Sequence, residues 1–335
     1  MTFGVVLVNL GTPDKADVKS VRKYLAEFLS DPRVIDLPFL VRWVLLNLFI
    51  LPFRPRQSLE AYKKVWRPEG SPLRVYGDLL VNKVQEKLGD NYKVVLAMRY
   101  GNPSIKNALD SLKECDKLIV LPLFPQYASA TSGSVIEKVF SLLSQQHYIP
   151  ELNILPEFYI EQNFIHAYAN LIKTNISIPD TDIIIFSFHG LPVRHIEKSG
   201  CEFVCKNEVC PKITLANKSC YRAQCYATAN AIANKLSLSE DKYMVAFQSR
   251  LGKTPWVKPY TDEVIEGLAA KGIKNIAIVC PAFVADCLET IEEIGMAGRE
   301  QWLGLGGEGF SLVPCLNDSP EWVDAVSNMV TSCSN

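Results

Sequence analysis

The feature that most constrains the fold is a regular alternation of short apolar runs with amphipathic stretches along the 335 residues of the chain. Residues 4–10 and 117–123 are rich in Val, Ile and Leu, which is typical of strands buried on both faces. Each run is followed by a stretch whose apolar residues recur at helical spacing, as in residues 17–29 and 131–145. Strands that alternate with helices predict a parallel sheet with crossover helices.

The alternation repeats in the second half of the chain, where residues 183–188, 243–248 and 275–280 are strand-like. We therefore expect an α/β fold with two similar Rossmann-like lobes, each a doubly wound parallel sheet, and an active-site cleft between them. The expected parts are an N-terminal lobe over residues 1–150, a C-terminal lobe over residues 151–315 and a helix over residues 316–335 that packs back on the N-terminal lobe.

One polar side chain, His189, stands at the end of a predicted strand, just before Gly190 and Pro192. Open α/β sheets bind ligands beyond the carboxyl ends of their strands. A lone histidine in this position is more often a hydrogen-bonded cap than a catalyst. It gains a chemical role only if other polar groups face it.

Three carboxylates follow the predicted strand at residues 275–280. Asp286, Glu289 and Glu293 are spaced three and four apart, so a helix would place them on one face. The simpler interpretation is a solvated surface. The alternative is a site for a hard cation or a path for protons, with His189 as its neighbour.

Composition excludes several classes of protein. Apolar residues make up 48% of the chain and the formal net charge is −1, so no basic excess indicates nucleic-acid binding. The first ten residues lack the basic region of a signal peptide, and we expect a cytoplasmic protein. Residues 304–309 contain a formal G-x-G-x-x-G, but it follows a predicted helix and precedes a strand, so neither NAD nor a nucleotide is expected.

Residues 39–53 form an apolar run, the lip, which is interrupted by Arg42 and Asn47. A membrane-spanning helix needs about 20 apolar residues, so the lip is too short to cross a bilayer. It is either a buried core helix or an exposed surface that contacts a membrane or a hydrophobic ligand. Arg54 and Arg56, just beyond the run, favour the second interpretation.

Further polar groups stand at predicted strand ends. Arg99 and Tyr100 follow one strand and Tyr127 follows another, while Arg54 follows the lip. Each arginine alone would be interpreted as a surface ion pair. Together they suit an apolar cavity whose rim binds a flat ligand that carries carboxylates.

The order of several motifs resembles that of the ferrochelatase family. The matching segments are residues 8–13 (VNLGTP), 28–35 (FLSDPRVI), 70–73 (GSPL), 121–127 (LPLFPQY), 187–192 (SFHGLP), 247–250 (FQSR) and 280–293 (CPAFVADCLETIEE). They cover almost the whole chain, and their combination is far more specific than any one of them.

The resemblance implies insertion of Fe²⁺ into protoporphyrin IX, with release of two protons, as the last step of haem formation. It implies that His189 is the active-site histidine and Glu289 the glutamate of the metal site. Asp286 and Glu293 match an acidic line that moves metal or protons, and Cys287 stands where some relatives have a second histidine. The implied porphyrin-binding residues are Leu10, Arg54, Arg99, Tyr100, Tyr127 and Phe283.

Five of the ten cysteines lie in a cysteine-rich segment, residues 201–225, which overlaps an insertion expected at residues 199–222. Some members of the family carry a [2Fe–2S] cluster, and the resemblance favours one here as a cofactor. The expected ligands are Cys201, Cys205, Cys210 and Cys220, with Cys225 as the alternate. Zinc, or thiols without a metal, are the alternatives.

Other functions stay open at this point. Coproporphyrin III could replace protoporphyrin IX as substrate, or the chain could be a porphyrin carrier or a chelatase of another macrocycle. The expected partners are the porphyrin and Fe²⁺, with peripheral membrane contact through the lip, and the expected state is a monomer or a homodimer.

Overall fold

The computed structural model describes residues 1–200, 210, 212–250, 252 and 254–334. The chain divides into two compact units. The first unit comprises Met1–Phe124, Ala128–Glu157 and Asn317–Asn335, and the second comprises Pro125–Tyr127 and Phe158–Leu316. The cleft predicted between two lobes concerns the arrangement of these units and stays a prediction.

The first unit contains a four-stranded parallel sheet in the order β2-β1-β3-β4. Its strands are β1 (Phe3–Thr12), β2 (Tyr92–Gly101), β3 (Lys117–Pro122) and β4 (Glu151–Ile154). The central strands β1 and β3 are buried almost throughout, because helices cover both faces of the sheet. Val6, Val8 and Val120 are fully buried in the core of this unit.

Three helices of the first unit begin at residues whose side chains cap them. Asp17, Ser71 and Ser104 each accept a backbone N–H of the first turn, which is worth about 1 kcal/mol per helix. The helices are α1 (Val18–Ser30), α2 (Phe39–Val44), α3 (Arg54–Val65), α4 (Pro72–Leu88), α5 (Ile105–Ser111), α6 (Ser134–Leu143) and α12 (Pro320–Ser332), with π-helical turns at Leu45–Ile50 and Ser129–Gly133. The last helix packs on α4, where Lys83 Nζ donates to the Asp318 carbonyl at 2.8 Å.

The second unit repeats this plan with a parallel sheet in the order β6-β5-β7-β8. Its strands are β5 (Ile183–His189), β6 (Tyr243–Gln248), β7 (Asn275–Val279) and β8 (Gly309–Leu312). Its helices are α7 (Gln162–Asn175), α8 (Val193–Glu197), α9 (Tyr221–Lys235), α10 (Thr261–Ala270) and α11 (Arg299–Gly304), with a 3₁₀ turn at Glu240–Lys242 and a π-helix at Glu289–Gly298. The short helix α8 was not predicted.

The predicted α/β class with two similar parallel-sheet units is confirmed. In each sheet the second strand along the chain lies on one side of the first strand, and the third lies on its other side. The strand order therefore reverses between β1 and β3 and between β5 and β7. Ligands of doubly wound sheets bind beyond the strand ends at such a switch point. The segments that follow β5 and β7 are therefore candidates for ligand binding.

The formal G-x-G-x-x-G runs from the last residue of α11 to the first residue of β8, so it follows a helix and precedes a strand as its position in the sequence predicts. Gly307 is required there by close packing, since a Cβ atom at this position would lie 2.1 Å from the Trp302 ring. Among the described residues, none of the helices combines the length and hydropathy needed to span a bilayer.

Candidate active site

His189 is the last residue of the central strand β5 and is half-buried. Its Nδ1 lies 2.6 Å from the carbonyl oxygen of Gly190. A carbonyl only accepts hydrogen bonds, so Nδ1 carries the proton of the neutral ring. The Nε2 lone pair is therefore the one available to a proton or a metal ion.

Aromatic rings surround this imidazole. The centroid of the His189 ring lies 6.2 Å from that of Phe283 and 6.5 Å from that of Trp256. The hydroxyl of Tyr221 donates to the His189 carbonyl at 2.7 Å and holds the strand end. Nothing in the sequence marks Trp256 as a neighbour, because a bridge between Trp256 and Pro192 brings its loop back to the segment that follows β5.

Glu289 and Glu293 lie on the π-helix Glu289–Gly298, which we call the acidic helix. Burial raises the pKa of Glu293, hydrogen bonds from Ser249 and the charge of His189 lower it, and the charge of Glu289 raises it, with a net shift upwards. Glu293 thus interacts electrostatically with both His189 and Glu289. His189 ends β5 and the acidic helix follows β7, so this electrostatic interaction occurs near the β5/β7 switch point.

Asp286 occupies a different environment. The acidic helix begins after it, so the prediction that three carboxylates share one helix face is wrong. The buried Asp286 accepts hydrogen bonds from Thr290 Oγ1 and from the backbone N–H of Cys315, both at 3.2 Å. These bonds tie the segment after β8 to the start of the acidic helix, and a role of Asp286 in moving metal or protons stays a prediction.

Cys287, which the resemblance places where some relatives have a second histidine, is buried. Burial raises its pKa well above the usual value, and the charge of Glu289, with a hydrogen bond to that carboxylate, raises it further. The group is a neutral thiol at neutral pH, whereas the thiolate is the form that binds metal.

Arg99 and Tyr100 take part in a buried network of the first unit. Arg99 Nη2 and the Tyr100 hydroxyl both contact Asp31 Oδ2, at 2.6 and 2.8 Å. Ser134 Oγ donates to the same oxygen at 2.6 Å and accepts from Arg99 Nε at 2.7 Å. Tyr100 has no solvent-exposed surface in this chain. Sequence analysis missed Asp31 and Ser134, which lie far from β2 along the chain.

The remaining porphyrin-binding candidates are more accessible. Leu10 is half-buried at the end of β1, and Arg54 is exposed at the first position of α3. Tyr127 is half-buried, and its backbone N–H donates to Gln224 Oε1 at 2.6 Å. Gly11, next to Leu10, has φ +126°, and a Cβ there would lie 1.9 Å from the Tyr100 carbonyl, so only glycine fits.

The cysteine-rich segment is described in part. Cys201 and Cys205 lie outside the described residues, whereas Cys210, Cys220 and Cys225 are buried. Arg222 Nη1 donates to Cys210 Sγ at 2.8 Å. Within the described part of the chain, no group of three or more Cys, His, Asp or Glu side chains is arranged to hold a metal ion.

Comparison with known proteins covers nearly the whole chain. The sequence profile of the family Ferrochelatase matches residues 2–333. Ferrochelatase of Legionella pneumophila (strain Lens) is 52% identical over 330 residues, covering 98% of this chain and 99% of the relative. Ferrochelatase of Coxiella burnetii (strain CbuK_Q154) is 49% identical over 331 residues, covering 98% and 92%.

Among solved structures, SirB from Bacillus subtilis with Fe³⁺ superposes with a TM-score of 0.51 at 11% identity, covering 99% of this chain and 96% of that one. At this identity the likeness concerns the fold alone, and the two-sheet architecture is what the proteins share. The family follows from the sequence relatives: matched from end to end at about half identity, the chain belongs to the ferrochelatase family.

Proposed function

We propose that this chain inserts Fe²⁺ into protoporphyrin IX and releases two protons, which makes it a porphyrin metal chelatase of haem synthesis. Membership of the ferrochelatase family supports the reaction class. The observation that carries the proposal is the position of His189 at the β5/β7 switch point, electrostatically linked to Glu293 of the acidic helix.

The chemistry requires removal of two pyrrole protons and replacement of the water ligands of the metal. The free Nε2 of His189 suits it to accept a proton or to bind the incoming Fe²⁺. Carboxylates are ligands for the ferrous ion and exchange protons with water, so Glu289 and Glu293 serve metal delivery or proton exit. The apolar rings of Phe283 and Trp256 lie beside the half-buried imidazole and limit its contact with bulk water.

We assign porphyrin contact to Leu10, Arg54, Tyr127 and Phe283, which are exposed or half-buried. For Arg99 and Tyr100 the hydrogen bonds to Asp31 favour a supporting role over a direct bond to a propionate. A guanidinium that is already paired with a buried carboxylate gains less from a second anion.

We favour protoporphyrin IX as the substrate because the apolar lip suits it better than the more carboxylated coproporphyrin III. Coproporphyrin III stays the alternative substrate. Phe39, Leu40, Phe49 and Phe53 are 65–73% exposed. Such a surface also suits peripheral contact of a cytoplasmic protein with a membrane.

Anaerobic metallation of protoporphyrin IX and coproporphyrin III by the purified protein tests the proposal. His189→Ala should lower kcat for Fe²⁺ insertion by about 10²- to 10⁴-fold, the contribution of a positioned acid–base group. His166→Ala, an exposed histidine on α7, is the matched control and should keep full activity. Full activity of His189→Ala would exclude the proposed role, and faster turnover of coproporphyrin III would favour the alternative substrate.

We further propose that the cysteine-rich segment binds a [2Fe–2S] cluster, with zinc as the alternative. Burial raises the pKa of Cys225, the Tyr221 hydroxyl lowers it, and the charges of Cys220 and Cys210 raise it, so the three thiols interact electrostatically. The bond from Arg222 to Cys210 Sγ is of the kind that stabilises thiolate ligands. We therefore assign Cys210 and Cys220, with Cys225 as the alternate, to a set of four thiolate ligands that Cys201 and Cys205 would complete.

Protein purified without oxygen should show visible absorption and about two iron and two sulfide ions per chain, as the cluster composition requires. Cys220→Ser should abolish the absorption, whereas Cys333→Ser, in the half-buried C-terminal region, should retain it. A colourless preparation without iron would exclude the cluster, and stoichiometric zinc in it would support the alternative.

A further inference from the structure

Residues 247–250 resemble a ferrochelatase motif, and one of them, Ser249, donates hydrogen bonds to Glu293 of the acidic helix. The segment ends β6, the neighbour of the strand that carries His189, and Gln248 is paired in register with His189. Any group that leaves this strand end therefore lies beside the active-site histidine.

Ser249 binds Glu293 through two separate hydrogen bonds. Its backbone N–H donates to Glu293 Oε1 at 2.7 Å, and its Oγ donates to Glu293 Oε2 at 2.5 Å. Both oxygens of one carboxylate are thus held by one residue. Bonds to a charged acceptor are short and directional, so this arrangement selects one orientation of the carboxylate.

The backbone of Ser249 adopts φ +67°, a left-handed conformation that favours glycine, asparagine or aspartate. Serine has no conformational advantage in this region, whereas its hydroxyl makes one of the two bonds to Glu293. The chemistry of the side chain, and not the preference of the backbone, accounts for serine at this position.

The preceding residue binds the same helix at another point. Gln248 Nε2 donates to the Glu289 carbonyl at 3.0 Å, and Gln248 Oε1 accepts from the buried Ser187 Oγ at 2.8 Å. Two successive residues at the end of β6 thus bind the acidic helix. Gln248 binds the backbone of Glu289, and Ser249 binds the carboxylate of Glu293. The end of β6 thus connects the strand end that bears His189 to the helix that bears Glu293.

We propose that Ser249 is a positioning residue that holds the Glu293 carboxylate in the orientation needed to exchange metal or protons with His189. The proposal rests on the proposed chelatase function for its role in turnover. It predicts that activity depends on whether the residue at position 249 carries a hydroxyl. Stability should depend instead on how well that residue adopts a left-handed backbone conformation.

Two substitutions separate these effects. Ser249→Gly removes the hydroxyl but suits φ +67°, so the thermal midpoint should be unchanged or higher while kcat/KM for Fe²⁺ falls about tenfold to a hundredfold. Ser249→Thr keeps the hydroxyl but places a β-branched residue in a left-handed conformation, so the midpoint should fall while kcat/KM stays within about threefold of wild type. KM for the porphyrin should be the same in all proteins.

Ser237→Gly is the matched control, because Ser237 is an exposed serine of the same unit with φ +57° and should affect only stability. Wild-type kcat/KM in Ser249→Gly would overturn the proposal, as would activity that falls in step with stability. Crystal structures supply a readout independent of turnover: the Glu293 carboxylate should move in Ser249→Gly, and an unmoved carboxylate would also overturn it. A wild-type protein that fails to metallate any porphyrin would overturn the chelatase function, and the crystal structures would still decide the role of Ser249.

Discussion

A single carboxylate, Asp31, organises the buried polar network of the first unit. Burial alone would raise its pKa, but hydrogen bonds from Ser134, the Arg33 backbone and Tyr100, together with the charge of Arg99, lower it below the usual value. The side chain of Asp31 is 4% exposed and that of Arg99 is 15% exposed. The pair is therefore little screened by water, and loss of one partner leaves the other charge uncompensated.

Asp31→Asn should destabilise the first unit by about 3 kcal/mol or more, the cost of leaving a buried charge without its partner. The folded-state pKa of Asp31 is lowered, so its contribution is fully present above the unfolded pKa of about 4 and is lost as pH falls below it. Urea denaturation at pH 7 and at pH 3 should show a difference between variant and wild type that shrinks at the lower pH.

Asp110→Asn is the control for this experiment. Asp110 pairs with Lys106 and Lys113 at 2.7 and 2.8 Å, but the lysines are 65% and 60% exposed. Solvent screens such pairs, so this variant should differ little from wild type at neutral pH. A difference for Asp31→Asn that does not depend on pH would show that its charge is not the source of the stabilisation.

At the scale of the element, π-helical turns occur where candidate functional residues lie. The acidic helix carries Glu289 and Glu293, and the turn Leu45–Ile50 forms the second half of the lip. An apolar or acidic pattern with spacings of three and four does not distinguish an α-helix from a π-helix, so the sequence predicts helices at both places without their hydrogen-bond class.

Most apolar residues of the lip are exposed. Of the two interpretations of its sequence, the lip is therefore an exposed surface and not a buried core helix. Trp43 is 52% and Leu48 is 58% exposed. Arg42, which interrupts the lip, is buried, and its Nη1 donates to the Leu37 carbonyl at 2.7 Å and to the Ile35 carbonyl at 3.2 Å. The exposed cations beside the lip are Arg54 and Arg56.

Phe49→Glu should weaken binding to lipid vesicles about tenfold or more, because it removes a side chain worth about 2 kcal/mol on burial and adds a negative charge. Co-sedimentation with phosphatidylcholine vesicles that contain anionic lipid measures the effect. Phe140→Glu, on the exposed face of α6 in the same unit, should not change binding. Equal sedimentation of wild type and Phe49→Glu would exclude the lip as the contact surface.

At the scale of the whole molecule, two sheets with the same strand order carry different chemistry. Each unit offers strand ends at a switch point, but His189 and the acidic helix occur only in the second unit. The final helix α12 belongs to the first unit although it follows the second in the chain, and the Tyr92 hydroxyl donates to Ser334 Oγ at 3.0 Å. The two units thus share a strand order, and the candidate acid–base groups lie in the second unit.

The sequence alone determined the alternation of strands and helices, the strand end on which His189 lies and the helix that carries Glu289 and Glu293. These features depend on local periodicity and on residue preference, which a single chain displays directly. The tertiary structure alone decided which nitrogen of His189 is free, that Ser249 holds Glu293, and that Arg99 is paired with Asp31. The contacts of Ser249 and Arg99 join residues distant along the chain, so they depend on the order of strands in each sheet and on the path of each loop, which no local pattern records. The contact of His189 is with the next residue, and it depends on the backbone conformation that the chain adopts where β5 ends.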